Sequence, residues 1–365
     1  MCLPHLTDRI IFFMKIPSLI DSLTRWIHYK LIWLVIGSYG LAMMFPALGL
    51  ILRDIDIANI QFFSISSPFI VSLPLLMLAI LLFNAGVGVN TQELHQTLQH
   101  PKILISALVG NSLVPLCFIV FISVFMLPWH NSEEIQQILV GLAFIAAMPI
   151  AGASTAWAQN TNGNLALSLS LVLVTTLLSP LFTPLIFHSV GFLTIGDYSE
   201  DLHEIASVTT IGFLGIWVVL PTLLGIFTRY FLLQKFVDSF RVSLKLCNYL
   251  VLLLLNYMNA AVVLPKIALN PDLDFLLAII LITSLLCLVT FSSGYYLAQF
   301  FRANRKNTLS LMFGLGMSNN GTALVLASIA LADHPEIMIP IIVYNLIQHL
   351  MASCVDRFNK SLMHI

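Results

Sequence analysis

The stretch that decides the fold is Phe313-Gly314-Leu315-Gly316-Met317-Ser318-Asn319-Asn320-Gly321-Thr322-Ala323. Three glycines and four polar residues stand in the middle of an otherwise apolar run. A second stretch behaves alike: Ala147-Met148-Pro149-Ile150-Ala151-Gly152-Ala153-Ser154-Thr155-Ala156-Trp157, then Gln159-Asn160. Proline removes a backbone donor, and glycine tolerates irregular backbone, so both runs are expected to break a helix.

The surroundings of these runs set their solvent. Of 365 residues, 59% are hydrophobic and 9% charged, with a net charge of −1. Soluble domains carry about 25% charged residues, so the charge here cannot hydrate a globule of this size. The balance also excludes a disordered chain and a nucleic-acid binder, which would need a basic surplus. A hydrocarbon core about 30 Å thick needs about 20 apolar residues per helix. Ten stretches qualify: 31–52, 68–89, 103–127, 135–160, 164–190, 205–231, 246–265, 274–300, 307–331 and 336–355. Residues 1–30 read as an amphipathic lead lying in the interface, and 356–365 as a cytoplasmic tail. Cys2, Cys117, Cys247, Cys287 and Cys354 are scattered and read as small packing residues.

If the ten spans alternate, all Lys and Arg except Arg53 and Lys266 fall on one side. By the positive-inside rule that side is cytoplasmic, and it holds both termini. The localisation expected is a bacterial inner membrane. Ten spans divide into five over 31–190 and five over 205–355, and an odd number inverts the second half. The fold class expected is an all-α polytopic membrane protein of two inverted repeats. The two broken runs are the fourth span of each half.

A break in lipid is tolerated only where it packs in protein or lines a cavity. It also presents a half-helix N-terminus near the midplane, where donors and a partial positive charge suit an anion. Either break alone could be a packing kink; two in matching positions point to a substrate and ion site. The candidate substrate-binding residues are Asn84, Asn111, Ser154, Thr155, Asn256, Asn259, Ser318, Asn319, Asn320 and Thr322. Asn256 and Asn259 share a helix face, as do Asn345, Gln348 and His349, for which bonding between helices is the plainer reading.

At these helices the sequence resembles the bile acid:sodium symporter family. The resemblance rests on Ala151 to Ser154, Gly163 to Ser168, Thr175 to Pro184 and above all Gly316 to Ala327, with a fainter echo in Leu81 to Gly88. It implies a two-helix panel domain and a core domain, with helices 4 and 9 crossing at their breaks. It implies transport of organic anions, often with two sodium ions. Ser154 and Ser168 match sodium-ligand positions, and Asn319 matches the asparagine of the helix-nine motif. Thr155, Val172, Ser318 and Gly110 depart from the expected Asn, Thr, Gln and Gln. Gly314 stands where the family has the glutamate that bridges both ions. Without that charge the strongest hold on a cation in low dielectric is gone, so coupling to two sodium ions is expected to be weakened or lost. A single ion at Ser154, Thr155, Ser168 and Ser318 with helix-nine carbonyls stays open, as does transport without an ion. No other cofactor is expected.

The leading reading is a secondary transporter for a small organic solute, with an organic anion favoured. The alternative is an uncoupled facilitator, channel or sensor on the same fold. An enzyme is not expected: HExxH, GxSxG, Walker A and a mid-membrane Asp pair are all absent. The partners implied are solute and lipid bilayer, with no nucleic acid. The sequence carries no signal for oligomeric state.

Overall fold

The computed structural model describes residues 4–60, 69–89, 101–231, 234–269 and 271–361. The chain is almost entirely helical. Helix α1 (Pro4–Met44) bends by 69° between Ile27 and Tyr29 and is followed by α2 (Pro46–Arg53). The lead is therefore helical from Pro4 and continuous with the first span. Residues 1–3 lie outside the described residues.

The expectation of a helix from residue 68 is corrected. Strand β1 (Asp56–Ile60) pairs antiparallel with β2 (Phe69–Ser72), and only then does α3 (Leu73–Gly88) begin. Pro74 sits in the first helical turn, where its missing donor costs nothing. β-Branched Ile70 and Val71 suit the strand before it.

Helix α4 (Pro101–Phe125) leads into α5 (Ser132–Ala147), α6 (Ala153–Asn160), α7 (Leu165–Gly191) and α8 (Asp197–Ile205). The expected sixth span is α9 (Val208–Leu214), a π-helical turn (Gly215–Val219) and α10 (Leu220–Phe231). Pro221 lacks the donor that would continue a regular ladder, and the wider turn precedes it. Then come α11 (Gln234–Leu269), α12 (Leu273–Phe300), α13 (Arg305–Gly316), α14 (Asn320–Ala330), a 3-10 turn (Pro335–Ile337) and α15 (Met338–Ser361). The expected tail thus stays helical to Ser361, and its last four residues are outside the described ones.

Among the described residues six helices are long and apolar enough to cross a membrane, or seven counting bent α1. With their composition this marks an integral membrane protein. The other three expected spans fall short for visible reasons. Helix α3 has 16 residues, and the fourth and ninth spans are each cut in two, at 148–152 and 317–319.

The helices pack as two groups. One joins α1, α2, α3, α10 and α11; the other joins α4 to α7 and α12 to α15. The first group therefore contains four of the expected spans, not the two that the family resemblance suggested. Inside it α3 and α10 meet backbone to backbone: a Cβ on Gly86 would strike the Thr222 carbonyl oxygen, and one on Gly225 that of Phe83. Small residues let helices approach closely where lipid provides no hydrophobic drive. In the second group Phe144 packs on Phe187 at 4.7 Å, and Phe291 stands edge-on to Phe313 at 6.2 Å.

Candidate functional site

Both expected breaks are present, and they bond to each other. Ala151 N–H donates to the Met317 carbonyl (2.9 Å), and Asn319 N–H donates to the Pro149 carbonyl (2.9 Å). Ile150 and Ser318 face each other across this short antiparallel bridge. Each break thus supplies what the other lacks, as buried backbone requires.

The neighbouring helix completes each break in the same way. At the first, Thr183 Oγ1 donates to the Ala147 carbonyl (2.6 Å), and Ile150 N–H donates to Thr175 Oγ1 (3.1 Å). At the second, Tyr344 Oη donates to the Gly316 carbonyl (3.1 Å), and Ser318 N–H donates to Gln348 Oε1 (3.1 Å). A hydroxyl seals the last carbonyl before each gap, and a side-chain oxygen takes an amide inside it. Helix α7 does this for the first break and α15 for the second.

The second half of each broken helix starts at the gap. Asn319 caps α14, its Oδ1 accepting from Thr322 N–H (3.3 Å). The next asparagine, Asn320, is buried with neither amide atom bonded, and the buried Thr322 hydroxyl also lacks a partner. Ser154, in the first turn of α6, is fully buried with its hydroxyl unpartnered. Beside it Ser168 Oγ donates to Thr155 Oγ1 (3.3 Å).

Helix α11, from the other group, brings Asn256 and Asn259, both buried. Neither amide atom of Asn259 is bonded, nor is Asn256 Nδ2. Asn256 Oδ1 accepts from Asn345 Nδ2 at 3.5 Å, which also donates to Tyr39 Oη (2.9 Å). Gln348 Nε2 donates to Asn345 Oδ1 (3.2 Å). A polar chain therefore runs from the second break through Gln348 and Asn345 to Asn256 and Tyr39 of the other group. Buried polar groups left unmade cost about 1–3 kcal/mol each, so these unpartnered atoms are the candidate contacts for a ligand.

The remaining candidates lie differently. The Asn84 side chain donates to Asn248 Oδ1 (2.8 Å), which ties α3 to α11 within the first group. Asn111 is half-buried on α4, next to Gly110, where a Cβ would lie 3.1 Å from Leu315. Gly314 faces an apolar wall: its Cβ would lie 3.1 Å from Leu171 Cδ1 and 3.9 Å from Ile150 Cδ1. Neither run, 147–157 nor 313–323, contains a carboxylate. Among the described residues no three His, Cys, Asp or Glu gather as a metal site.

Thr175, Thr183 and Tyr344 were not among the sequence candidates. A signal existed: Thr175, Ser179 and Thr183 form a hydroxyl stripe at i, i+4 and i+8, and Tyr344 precedes Gln348 by four. His349 is a packing partner, accepting from Trp157 Nε1 at its Nδ1 (3.3 Å).

Comparison with known proteins matches residues 75–270, more than half of the chain, to the sodium bile acid symporter family. The match takes in the first break and α11, and ends before the second break. An uncharacterized protein of Bacillus subtilis (strain 168), YbaS, is 24% identical over 279 residues, 75% of this chain and 84% of that one.

Proposed function

The chain belongs to the sodium bile acid symporter family, and on that premise we propose that it is a secondary transporter moving a small organic anion by alternating access. Membership places it among transporters rather than enzymes. The observation that carries the reading is the pair of interlocked breaks, each completed by its following helix in the same pattern. That equivalence supports ten spans in two inverted repeats, since a duplicated unit brings its fourth and fifth helices together twice. The base count supports cytoplasmic termini, and the membrane proposed is a bacterial inner membrane.

The solute site in this proposal lies between the two helix groups. Asn256 and Asn259 approach from one side, and Asn319, Asn320 and Thr322 from the other. None of these residues is a base, so the anion is held by amides, hydroxyls and the N-terminal ends of α6 and α14. Such donors suit one carboxylate or sulfonate better than a multiply charged phosphate.

Sodium, where it is a co-substrate, fits beside the start of α6. Ser154, Thr155 and Ser168 offer hydroxyl oxygens, and Ser154 Oγ is unpartnered, as a hard cation would require. A side chain at Gly314 would meet the apolar Leu171 and Ile150, so the second ion of the family is not expected. Ser318, whose amide is bound to Gln348, contributes to the solute side in this reading.

The test is a thermal-shift screen of the purified protein against acetate, pyruvate, benzoate and benzenesulfonate, in sodium and in choline buffer. Counterflow of any stabilising acid in proteoliposomes follows. Saturable counterflow with sodium dependence of first order or none is expected. Second-order sodium dependence sinks the one-ion reading, and a non-saturating flux sinks the carrier.

A further inference from the structure

Arg53 and Lys266 are the two bases that the topology leaves on the outer side, and both reach from the first helix group to the second. Arg53 ends α2, and its Nη2 donates to the Ser328 carbonyl of α14 (2.8 Å), 275 residues away. Lys266, in the last turn of α11, stands 4.0 Å from Glu336 of the 3-10 turn. The two contacts are unequal. Lys266 and Glu336 are 63% and 38% exposed, and exposed pairs contribute little. Arg53 is half-buried, and Ser328 is buried.

The Ser328 carbonyl belongs to the last turn of α14, where carbonyls have no partner within the helix. The negative end of the helix dipole lies there too, so a guanidinium is the favoured cap. The same chemistry occurs twice more, in a different setting: Arg229 Nη1 donates to the Val87 carbonyl (2.9 Å) and so caps α3, and Arg305 Nη2 donates to the Asn359 carbonyl (2.6 Å) in the last turn of α15. Each of those caps stays within one group, the first and the second respectively. The Arg53 cap crosses the seam between groups. A cavity of about 330 Å³ opens along the seam, lined by both partners of the bond together with Asp54, Asp56 and Ser72.

We infer that Arg53 is the outer gate residue: capping Ser328 holds the outer end of the seam shut, and releasing the cap opens it. The inference rests on the alternating-access reading, in which one helix group moves against the other. A helix end capped from its own group would move as one body and gate nothing. A helix end capped from the opposite group changes partner whenever the seam opens, and the bond biases that equilibrium toward the closed form.

The test needs no substrate. Ser328→Cys leaves the capped carbonyl in place and gives a thiol reporter on the seam, the native hydroxyl bonding only within its own helix to Val325 (2.9 Å). Labelling by a water-soluble maleimide is timed in unsealed membranes, with the protein lacking the reporter as background. Arg53→Met, which keeps the apolar stem and removes the charge, is expected to speed labelling about tenfold, the effect of losing one hydrogen bond to a charged group. Arg53→Lys restores most of the protection, and Lys266→Gln changes the rate less than about twofold. Cys287, fully buried in the second group, must stay unlabelled. If Arg53→Met exposes it, the milder Arg53→Gln is read in its place. Unchanged labelling without the arginine, or an equal rise in Lys266→Gln, overturns the proposal. Either result leaves solute transport standing, and loss of transport in proteoliposomes would leave the labelling change intact.

Discussion

The two breaks solve one problem with different side chains. The first is closed by two threonines of α7 and the second by a tyrosine and a glutamine of α15. Thr175 and Thr183 sit eight residues apart, Tyr344 and Gln348 four apart. Short hydroxyls bond locally: Thr175 Oγ1 also donates to the Leu171 carbonyl (2.8 Å), so the side chains that close the first break end on α7 itself. Gln348 is longer and has a second function, passing the bond on to Asn345 and so toward the other helix group. The first break is therefore a fixed element of its group, whereas the second is wired across the seam.

That difference can be broken by substitution. The largest effect is expected from Gly316→Val, because any Cβ there would strike the Phe291 ring. Destabilisation should reach about 3 kcal/mol or more, with loss of folded protein on size-exclusion chromatography. A monodisperse variant with an unchanged unfolding midpoint would show that the second break has slack.

Gln348→Leu and Thr175→Val each leave a break amide unpaired, at about 1–3 kcal/mol. Thermal unfolding should fall for both. Only Gln348→Leu should also abolish stabilisation by the solute, because only it cuts the chain to Asn345 and Asn256. Equal loss of ligand response in both would erase the distinction between fixed and wired breaks.

Thr183→Val and Tyr344→Phe strip the hydroxyl that seals each last carbonyl. About 1 kcal/mol is expected for each, measured as paired midpoint shifts. A large asymmetry would argue against equivalent designs.

The smallest effect, and of opposite sign, is expected from Ser154→Ala. Its hydroxyl is buried and unpartnered, so its loss should leave the ligand-free protein equal or more stable by up to about 1 kcal/mol. Sodium-dependent stabilisation, where present, should vanish. A destabilised ligand-free variant would mean that Ser154 has a structural partner.

Much of this was legible in the residues. Pro149, Gly152, Gly314 and Gly316 mark the discontinuities because glycine and proline act locally, through backbone freedom and a missing donor. The candidates Ser154, Asn259, Asn320 and Thr322 were legible because polar atoms are expensive in an apolar run. The strand at Phe69–Ser72 was not, since an apolar run of that length suits helix or strand alike and only its pairing with Asp56–Ile60 decides. The separate use of Asn84 was equally hidden: its chemistry is that of Asn259, and only the presence of Asn248 2.8 Å away distinguishes them.

The sequence by itself determined the solvent, the apolar spans, the places where helices break and the lack of any acid at those places. Each follows from composition or from a local backbone preference. The tertiary structure alone decided which polar group meets which. It joined Pro149 to Asn319, gave Gln348 to Ser318, left Asn259 and Asn320 without partners, and carried Arg53 across to Ser328. Hydrogen bonds are short-ranged and directional, so their pairing over hundreds of residues is set by how the helices pack, which no local pattern encodes.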